Sequence, residues 1–376
     1  MKKLLCLFLC ICLLLTLVGC RKKKNDTPDL NASTDTTSGQ PSAGSDEAGI
    51  ADPMVAVSVP SVTEDTLSAD GAVVFQYTYQ HMSLMLNKPE VANKVILDFL
   101  NRVDSTKQAA EDTATMAKTY YDGNANWVPY LYHITYSPTR IDHNVLSLFG
   151  NNVVYSGATH PDRTCVSASY DLKTGDVLTL ASIMDPDAEV ADFCKLVLGG
   201  LNEMVEGDYL YEGYKATVEN RFQADPTTDE AWYFTQTGLC FYFAPYEIAP
   251  YTSGVITVEI PYEKLANLVH EAYIPAKKGA VQGNMKMISF TEADLSKFTD
   301  IAEIVISTDG EMRMAYSEGS VQDVRITMND QVSKYTIFAA NYLSAGNGIG
   351  IKVNATETAK LKLTYKSNGN TEVLPF

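Results

Sequence analysis

The sequence predicts an α+β chain: an antiparallel sheet with packed helices in two coupled subdomains, followed by a small all-β sandwich-like domain. Three observations carry this. Helical and period-two stretches follow one another without regular alternation, which argues against a parallel βαβ repeat. Residues 232–262 combine strand-like runs with a proline-bearing loop. Beyond residue 283 the composition turns to short strand-like runs, punctuated at regular intervals by Gly, Asn and Asp. The boundaries read as 54–158 for the first subdomain, 159–276 for the second and 283–376 for the last domain. Residues 1–19 and 20–53 precede them as a signal segment and a tether.

Taken in order, residues 55–59 and 72–79 read as strands, the second with Val73, Phe75, Tyr77 and Tyr79 on one face. Pro89 and Glu90 open a helix, since proline suits the first turn. Val91, Val95, Ile96, Phe99, Leu100 and Val103 recur at helical spacing and form its buried stripe. A weaker helical pattern covers 109–118 and stops at Asp122-Gly123-Asn124. Three antiparallel strands are expected at 130–137, 144–155 and 164–172, with a turn at 171–176 where Gly175 can take positive φ. A helix is expected over 187–205, with Val190, Phe193, Cys194, Val197, Leu198 and Leu201 inward. A tyrosine-rich passage around Tyr209, Tyr211 and Tyr214 has no clear pattern, and a short helix is expected over 262–271. In the last domain, strands are expected near 304–306, 324–328, 335–339, 349–353 and 361–365, with Lys277-Lys278-Gly279 as the hinge before it.

Residues 239–243 and 254–260 read as two strands joined by Ala-Pro-Tyr-Glu-Ile-Ala-Pro-Tyr-Thr-Ser-Gly. Two prolines fix φ and oppose a ladder, so the segment leaves the sheet. Tyr246, Glu247 and Tyr251 then sit on a stiff loop beside Pro245, which suits a contact surface better than a catalytic constellation.

At the N-terminus, Lys2 and Lys3 precede an almost wholly apolar run over 4–18, as in a secretion signal. The next residues, Leu17-Val18-Gly19-Cys20, resemble a bacterial lipobox. The resemblance implies lipidation of Cys20, which would become the mature N-terminus and hold the chain on the outer face of a bacterial membrane. Arg21 to Lys24 could add about 1 kcal/mol of headgroup attraction per basic residue, or serve as a plain spacer. Residues 25–53 are polar and aperiodic, a flexible tether by composition. About 320 residues remain to fold, enough for two or three domains.

The formal charge is −17, and loss of Lys2 and Lys3 takes it to −19. That argues against nucleic acid, which requires basic surface, and fits a basic partner or simple solubility. Cys165, Cys194 and Cys240 remain beside Cys20, with no Cys-x-x-Cys spacing; one disulfide plus one free thiol is compatible, but the apolar runs around Cys194 and Cys240 favour buried free thiols, and this is not a disulfide scaffold. The five histidines, His81, His133, His143, His160 and His270, show no ligand spacing, so neither a metal nor another cofactor is expected.

Several motifs are similar to a known family. Tyr155-x-Gly157-Ala158-Thr159-His160-Pro161, followed by Tyr170-Asp171-Leu172-Lys173-Thr174-Gly175 and Leu178-x-Leu180, resembles that family's Gly-Gly-Ala-His-Pro turn and its hairpin. The loop around Tyr246, ending in Ile260-Pro261-Tyr262, resembles its second signature, and Asn93 is a weaker landmark. The family is the extracytoplasmic domain pair of RsiV-type anti-sigma factors, also found in some peptidoglycan deacetylases. The resemblance covers about residues 72–271 and departs at Ala158 and Thr159 of the turn. It implies an α+β fold and lysozyme binding through loops around His160, Pro161 and Tyr246. Only three residues precede the apolar run, so sigma control is not expected, and the tail after Gly283 lacks the His or Cys of a deacetylase site.

The expected function is therefore a non-catalytic surface lipoprotein that binds lysozyme or another muramidase. A peptidoglycan- or glycan-binding module is the alternative, and a wall hydrolase is less favoured. His160 could equally serve as a structural hydrogen-bonding residue in its turn. Glu247 could equally pin its loop through backbone N–H groups, with Tyr246 and Tyr251 capping the core edge.

Overall fold

In the computed structural model, the described residues are 54–204, 209–223, 231–276, 279–289, 291–298, 300–329 and 332–376. The signal segment, Cys20, the tether, and Lys277 and Lys278 of the expected hinge lie outside them. The α+β class holds; two of the four sheets are purely antiparallel and the other two each carry one parallel pair.

Strands β2 (Ser61–Leu67), β3 (Val73–Gln80), β5 (Tyr130–Ile141), β6 (Val145–Tyr155) and β7 (Asp162–Asp171) form a five-stranded sheet in that order. The β3–β5 pair is parallel because two helices lie between them in sequence. These are α1 (Pro89–Asp104) and α2 (Lys107–Tyr120). Pro89 stands in the first turn of α1; of the expected stripe Val91, Val95, Phe99 and Val103 are buried, Ile96 and Leu100 are half-buried, and Ala92 is buried beside them. Period two sends Phe75, Tyr77, Tyr132, Ile134 and Tyr136 into the same core, where Phe99 meets Tyr136 edge-on at 5.2 Å. The polar strand β2 escaped sequence reading. It is an edge strand with most residues exposed, so no apolar alternation marks it.

A separate three-stranded sheet runs β10 (Ile256–Pro261), β9 (Gly238–Phe243), β8 (Trp232–Phe234). Residues 232–262 thus give three strands where two were expected, in a sheet of their own. Their neighbours are α4 (Val190–Met204), after a one-turn α3 (Leu180–Ile183), and α5 (Tyr214–Gln223). Phe193, Val197 and Leu201 of α4 share a core with Phe234, Leu239, Phe241, Phe243 and Val258. Gly200 is required there, since a Cβ would stand 2.5 Å from Val258 Cγ1. The patternless tyrosine passage continues into α5, which buries only Tyr214 and Val218 and so carries no full stripe. The helix expected over 262–271 is two 3₁₀ turns, Tyr262–Lys264 and Glu271–Tyr273.

The face of the five-stranded sheet opposite the helices is covered twice. Over β6 and β7 lies the three-stranded sheet: Phe149 stacks on Tyr233 at 4.5 Å, and Phe234 N donates to Ser147 Oγ at 2.9 Å. Over β5 lies a sandwich built from two sheets. Its six-stranded sheet has the order β18 (Asn370–Leu374), β17 (Leu361–Ser367), β14 (Val321–Asn329), β15 (Lys334–Leu343), β1 (Ala56–Ser58), β4 (Ser83–Met85). The four-stranded sheet runs β11 (Met285–Ser289), β13 (Glu311–Ser317), β16 (Gly348–Val353), β12 (Ile301–Val305). The division at 158/159 and at 283 therefore does not follow the sheets. β7 belongs with β2, β3, β5 and β6, and β1 and β4 belong with the C-terminal strands. The triplet Ala56–Ser58 is buried along its whole length, in keeping with its place between β15 and β4.

Two arginines fasten these layers. Arg140, at the end of β5, is fully buried; Nε donates to Asp142 at 2.7 Å, and Nη1 donates to Tyr262 Oη at 2.8 Å and to the Tyr273 carbonyl at 2.5 Å. Arg325 of β14 donates to the carbonyls of Pro138 at 2.6 Å and Thr139 at 3.2 Å, while pairing with Asp323 at 2.7 Å.

Candidate functional site

The β6–β7 turn and the β9–β10 loop meet at one edge of the molecule. The first holds Gly157, His160 and Pro161. Gly157 has φ +87°, and a Cβ there would stand 2.6 Å from Tyr130 Oη, so only glycine fits without displacement. The second holds Pro245, Tyr246, Glu247 and Tyr251. The His160 ring stacks on Tyr251 with centroids 4.1 Å apart. Tyr251 Oη donates to the Pro161 carbonyl at 2.8 Å, and His160 Nδ1 lies 3.2 Å from the same oxygen. Tyr246 Oη lies 3.2 Å from His160 Nε2. One assignment satisfies all three contacts. In it the Nδ1–H tautomer donates to the Pro161 carbonyl, and Nε2 accepts from Tyr246 Oη.

Tyr246 is the unusual member. Its φ is +71°, a region costly for a residue with a Cβ, and it remains 56% exposed. The backbone around it explains how this shape persists. Tyr246 N donates to Ala249 O at 3.1 Å, and Glu247 N donates to Ala244 O at 3.1 Å. Glu247 Oε2 accepts from Ala244 N at 2.9 Å, and its Oε1 pairs with Arg221 of α5. Arg221 in turn donates to the Tyr242 carbonyl at 2.7 Å and lies over the Phe243 ring at 4.4 Å. Glu247 is thus the pin of the loop, as one of its two sequence readings had it. Arg221 was not legible because α5 itself was not.

Pro245 and Tyr251 also border a shallow depression with Asn151, Arg163 and Gly254. Beneath the edge, Cys165 and Cys240 flank a small aromatic cluster with Tyr233 and Tyr242. Burial pushes the Cys165 thiol up to about 12, and the charge of Glu247 adds to this while Arg221 opposes it. Burial likewise raises Cys240 to about 11. Neither thiol is a nucleophile at neutral pH. Among the described residues, Cys165, Cys194 and Cys240 are all free. Among the described residues, no group of three or more His, Cys, Asp or Glu side chains could hold a metal ion. Nor is any described helix long and apolar enough to cross a membrane. Of the residues singled out from sequence, His160, Pro161, Tyr246 and Tyr251 come together directly. Glu247 supports them from behind, and Pro245 lies at the margin.

Residues 201–263 match the family described as "Protein of unknown function (DUF3298)". That stretch is a DUF3298 domain. It runs from the end of α4 through α5 and the three-stranded sheet, so it contains Tyr246, Glu247 and Tyr251 but not His160. Among solved structures, a DUF3298 family member from Bacteroides fragilis is similar at 18% identity, covering 58% of this chain and 94% of that one, with a TM-score of 0.43. A DUF3298 family protein from Pseudomonas aeruginosa PAO1 is similar at 16% identity, covering 61% and 100%, with a TM-score of 0.39. Among curated proteins none matches.

Proposed function

We propose that this chain is a non-catalytic receptor on the outer face of a bacterial membrane, held there by lipid on Cys20. It binds a protein ligand through the edge formed by His160, Pro161, Tyr246 and Tyr251. Lysozyme or another muramidase is the ligand best motivated, through the resemblance of the two loop motifs to RsiV-type domains. The observation that carries the reading is Tyr246. An exposed tyrosine in a left-handed conformation, clamped by Glu247 and Arg221, is strain held in place at a surface. Such strain recurs at ligand-contacting positions, and rigid aromatic side chains bind with little entropy loss. The net charge of −17 would speed encounter with a basic protein. The bonds of His160 go to a carbonyl and a phenol, which holds its ring in place rather than activating a nucleophile.

Biolayer interferometry of the immobilised full chain against hen egg-white lysozyme tests this. Binding is expected, with Tyr246→Ala and Tyr251→Ala each weakening it by about thirtyfold, the scale of a hot-spot tyrosine. Absence of binding by the unaltered chain, or unchanged affinity in both variants, would overturn the proposal.

A further inference from the structure

The five-stranded sheet has two unlike faces. The helix-covered face is aromatic and aliphatic. On the other, at the β2–β3–β5 end, the registers Ser61↔Gln80, Thr63↔Thr78 and Thr78↔His133 line up a row of hydroxyl, amide and imidazole groups. The sandwich covers this end, yet a covered face is normally apolar, because polar groups taken from water cost free energy unless rebonded. Part of the row is spent on the junction. Gln80 Nε2 donates to the Val59 carbonyl at 2.9 Å and its Oε1 accepts from Tyr136 N at 2.6 Å, while Ser137 Oγ accepts from Thr336 N at 3.0 Å.

The rest of the row opens into a cleft of about 350 Å³ between the sheet and the sandwich. Thr63, Gln76, Thr78 and His133 form one wall. Tyr335 of β15 spans it, its Oη accepting from Ser61 Oγ at 3.0 Å and its ring standing edge-on to His133 at 6.3 Å. The opposite wall includes Met328 and Ile337. Lys360 and Glu357 at the rim pair with each other at 3.0 Å, so the cleft presents no net charge from them. The volume falls at the lower end of small-molecule sites, which span roughly 300–1,000 Å³.

We infer that this cleft is a second binding site, separate from the tyrosine edge, and that it takes a neutral N-acetylated saccharide. Thr63 and Thr78 share one hydroxyl–hydroxyl bond at 2.9 Å and Gln76 Nε2 donates to Asp65 at 3.0 Å, so the wall keeps one threonine O–H, hydroxyl lone pairs and the Gln76 carbonyl to match sugar hydroxyls and an acetamido group. The apolar wall suits the C–H face of a pyranose ring. A charged ligand would find the rim charges already paired and would lose solvation without return.

The test uses tetra-N-acetylchitotetraose (chitotetraose from here on) as the probe, with the full chain, by isothermal titration and saturation-transfer NMR. Thr63 is exposed, so Thr63→Trp fills the cleft mouth without touching a core. Gln76→Leu is the second variant, removing an amide with little change of volume. Chitotetraose is expected to bind the unaltered chain, at least about tenfold more weakly in each cleft variant, and equally well in Tyr246→Ala. Unchanged melting temperatures would show that both variants fold. No binding by the unaltered chain overturns the inference, as does equal affinity in both cleft variants. Loss in Tyr246→Ala would assign the sugar to the tyrosine edge instead. Binding of the peptide Ala-D-Glu-Lys at the Thr63 wall without chitotetraose binding would overturn the ligand class. Failure of lysozyme to bind leaves each of these outcomes intact, so the two proposals fail separately.

Discussion

Replacing Arg140 with methionine removes the most heavily bonded buried charge while keeping much of its volume. Three hydrogen bonds go, to Asp142, Tyr262 and the Tyr273 carbonyl, along with cation–π contacts to Phe234 at 5.0 Å and Tyr262 at 5.5 Å. Breaking a buried ion pair from one side costs about 3–5 kcal/mol. Here the lower end applies, because Asp142 Oδ1 keeps two backbone donors, Asn144 N at 2.8 Å and Val145 N at 2.9 Å. The expected loss is thus about 3 kcal/mol, which lowers the urea midpoint by about 1 M if the slope is near 3 kcal/mol per M. Trp232 is 4% exposed within the three-stranded sheet, so in a Trp127→Phe background its fluorescence reports the side of the junction that Arg140 holds. Arg140→Lys keeps the charge but not the planar fork, and should fall about midway between the two. A loss below about 1 kcal/mol in Arg140→Met would refute the view that this guanidinium fastens the two sheets.

Two further outcomes follow from titrating groups. Burial works to raise the carboxyl of Asp323, but Arg325 and Lys366 outweigh it and hold the group below its ordinary value of 3.8. A lowered native pKa gives stability that is present above 3.8 and lost as pH falls through the native value. Asp323→Asn should therefore lose stability at pH 7 and show a flatter decline than the unaltered chain below pH 3.8, by acid titration of ellipticity. An equally steep decline in the variant would remove Asp323 as a source of it. Cys165 and Cys240, with thiols raised to about 12 and about 11, should resist maleimide at pH 7 in the folded chain and react in urea, as mapped by mass spectrometry. Rapid labelling of either without denaturant would contradict their burial.

What was legible in the sequence followed the strength of local periodicity. α1 could be read from Pro89 and its six-position stripe, and β5 to β7 from alternation bounded by turn residues. Glycine at 175 was placed for positive φ, which it takes at +76°. The tyrosine edge was half legible. Prolines on both sides of Tyr246 marked a loop that leaves its sheet, and the two motifs singled out the residues. No local signal said that His160 would stack on Tyr251, since that depends on how one sheet lies across another. The same holds for α5, whose short buried pair is set by α4 rather than by its own pattern. It holds also for Arg140, an ordinary surface residue by type, and for β1 and β4. Pairing partners far away in sequence leave no periodic trace.

The place of β1 in the C-terminal sheet has a consequence for how the chain is made. Val55 N donates to Asn341 Oδ1 across 286 residues of sequence. The first strand of the described chain to be synthesised can pair early with β4 on one edge, but its other edge waits for β15. Until then Val55 and Val57 lie on a strand with one open edge. Contacts of such span close slowly, because loop entropy must be lost before any bond is gained. A chain cut before residue 334 would leave β1 with no partner on one side. Loss of the last domain would expose the first strand as a template for aggregation.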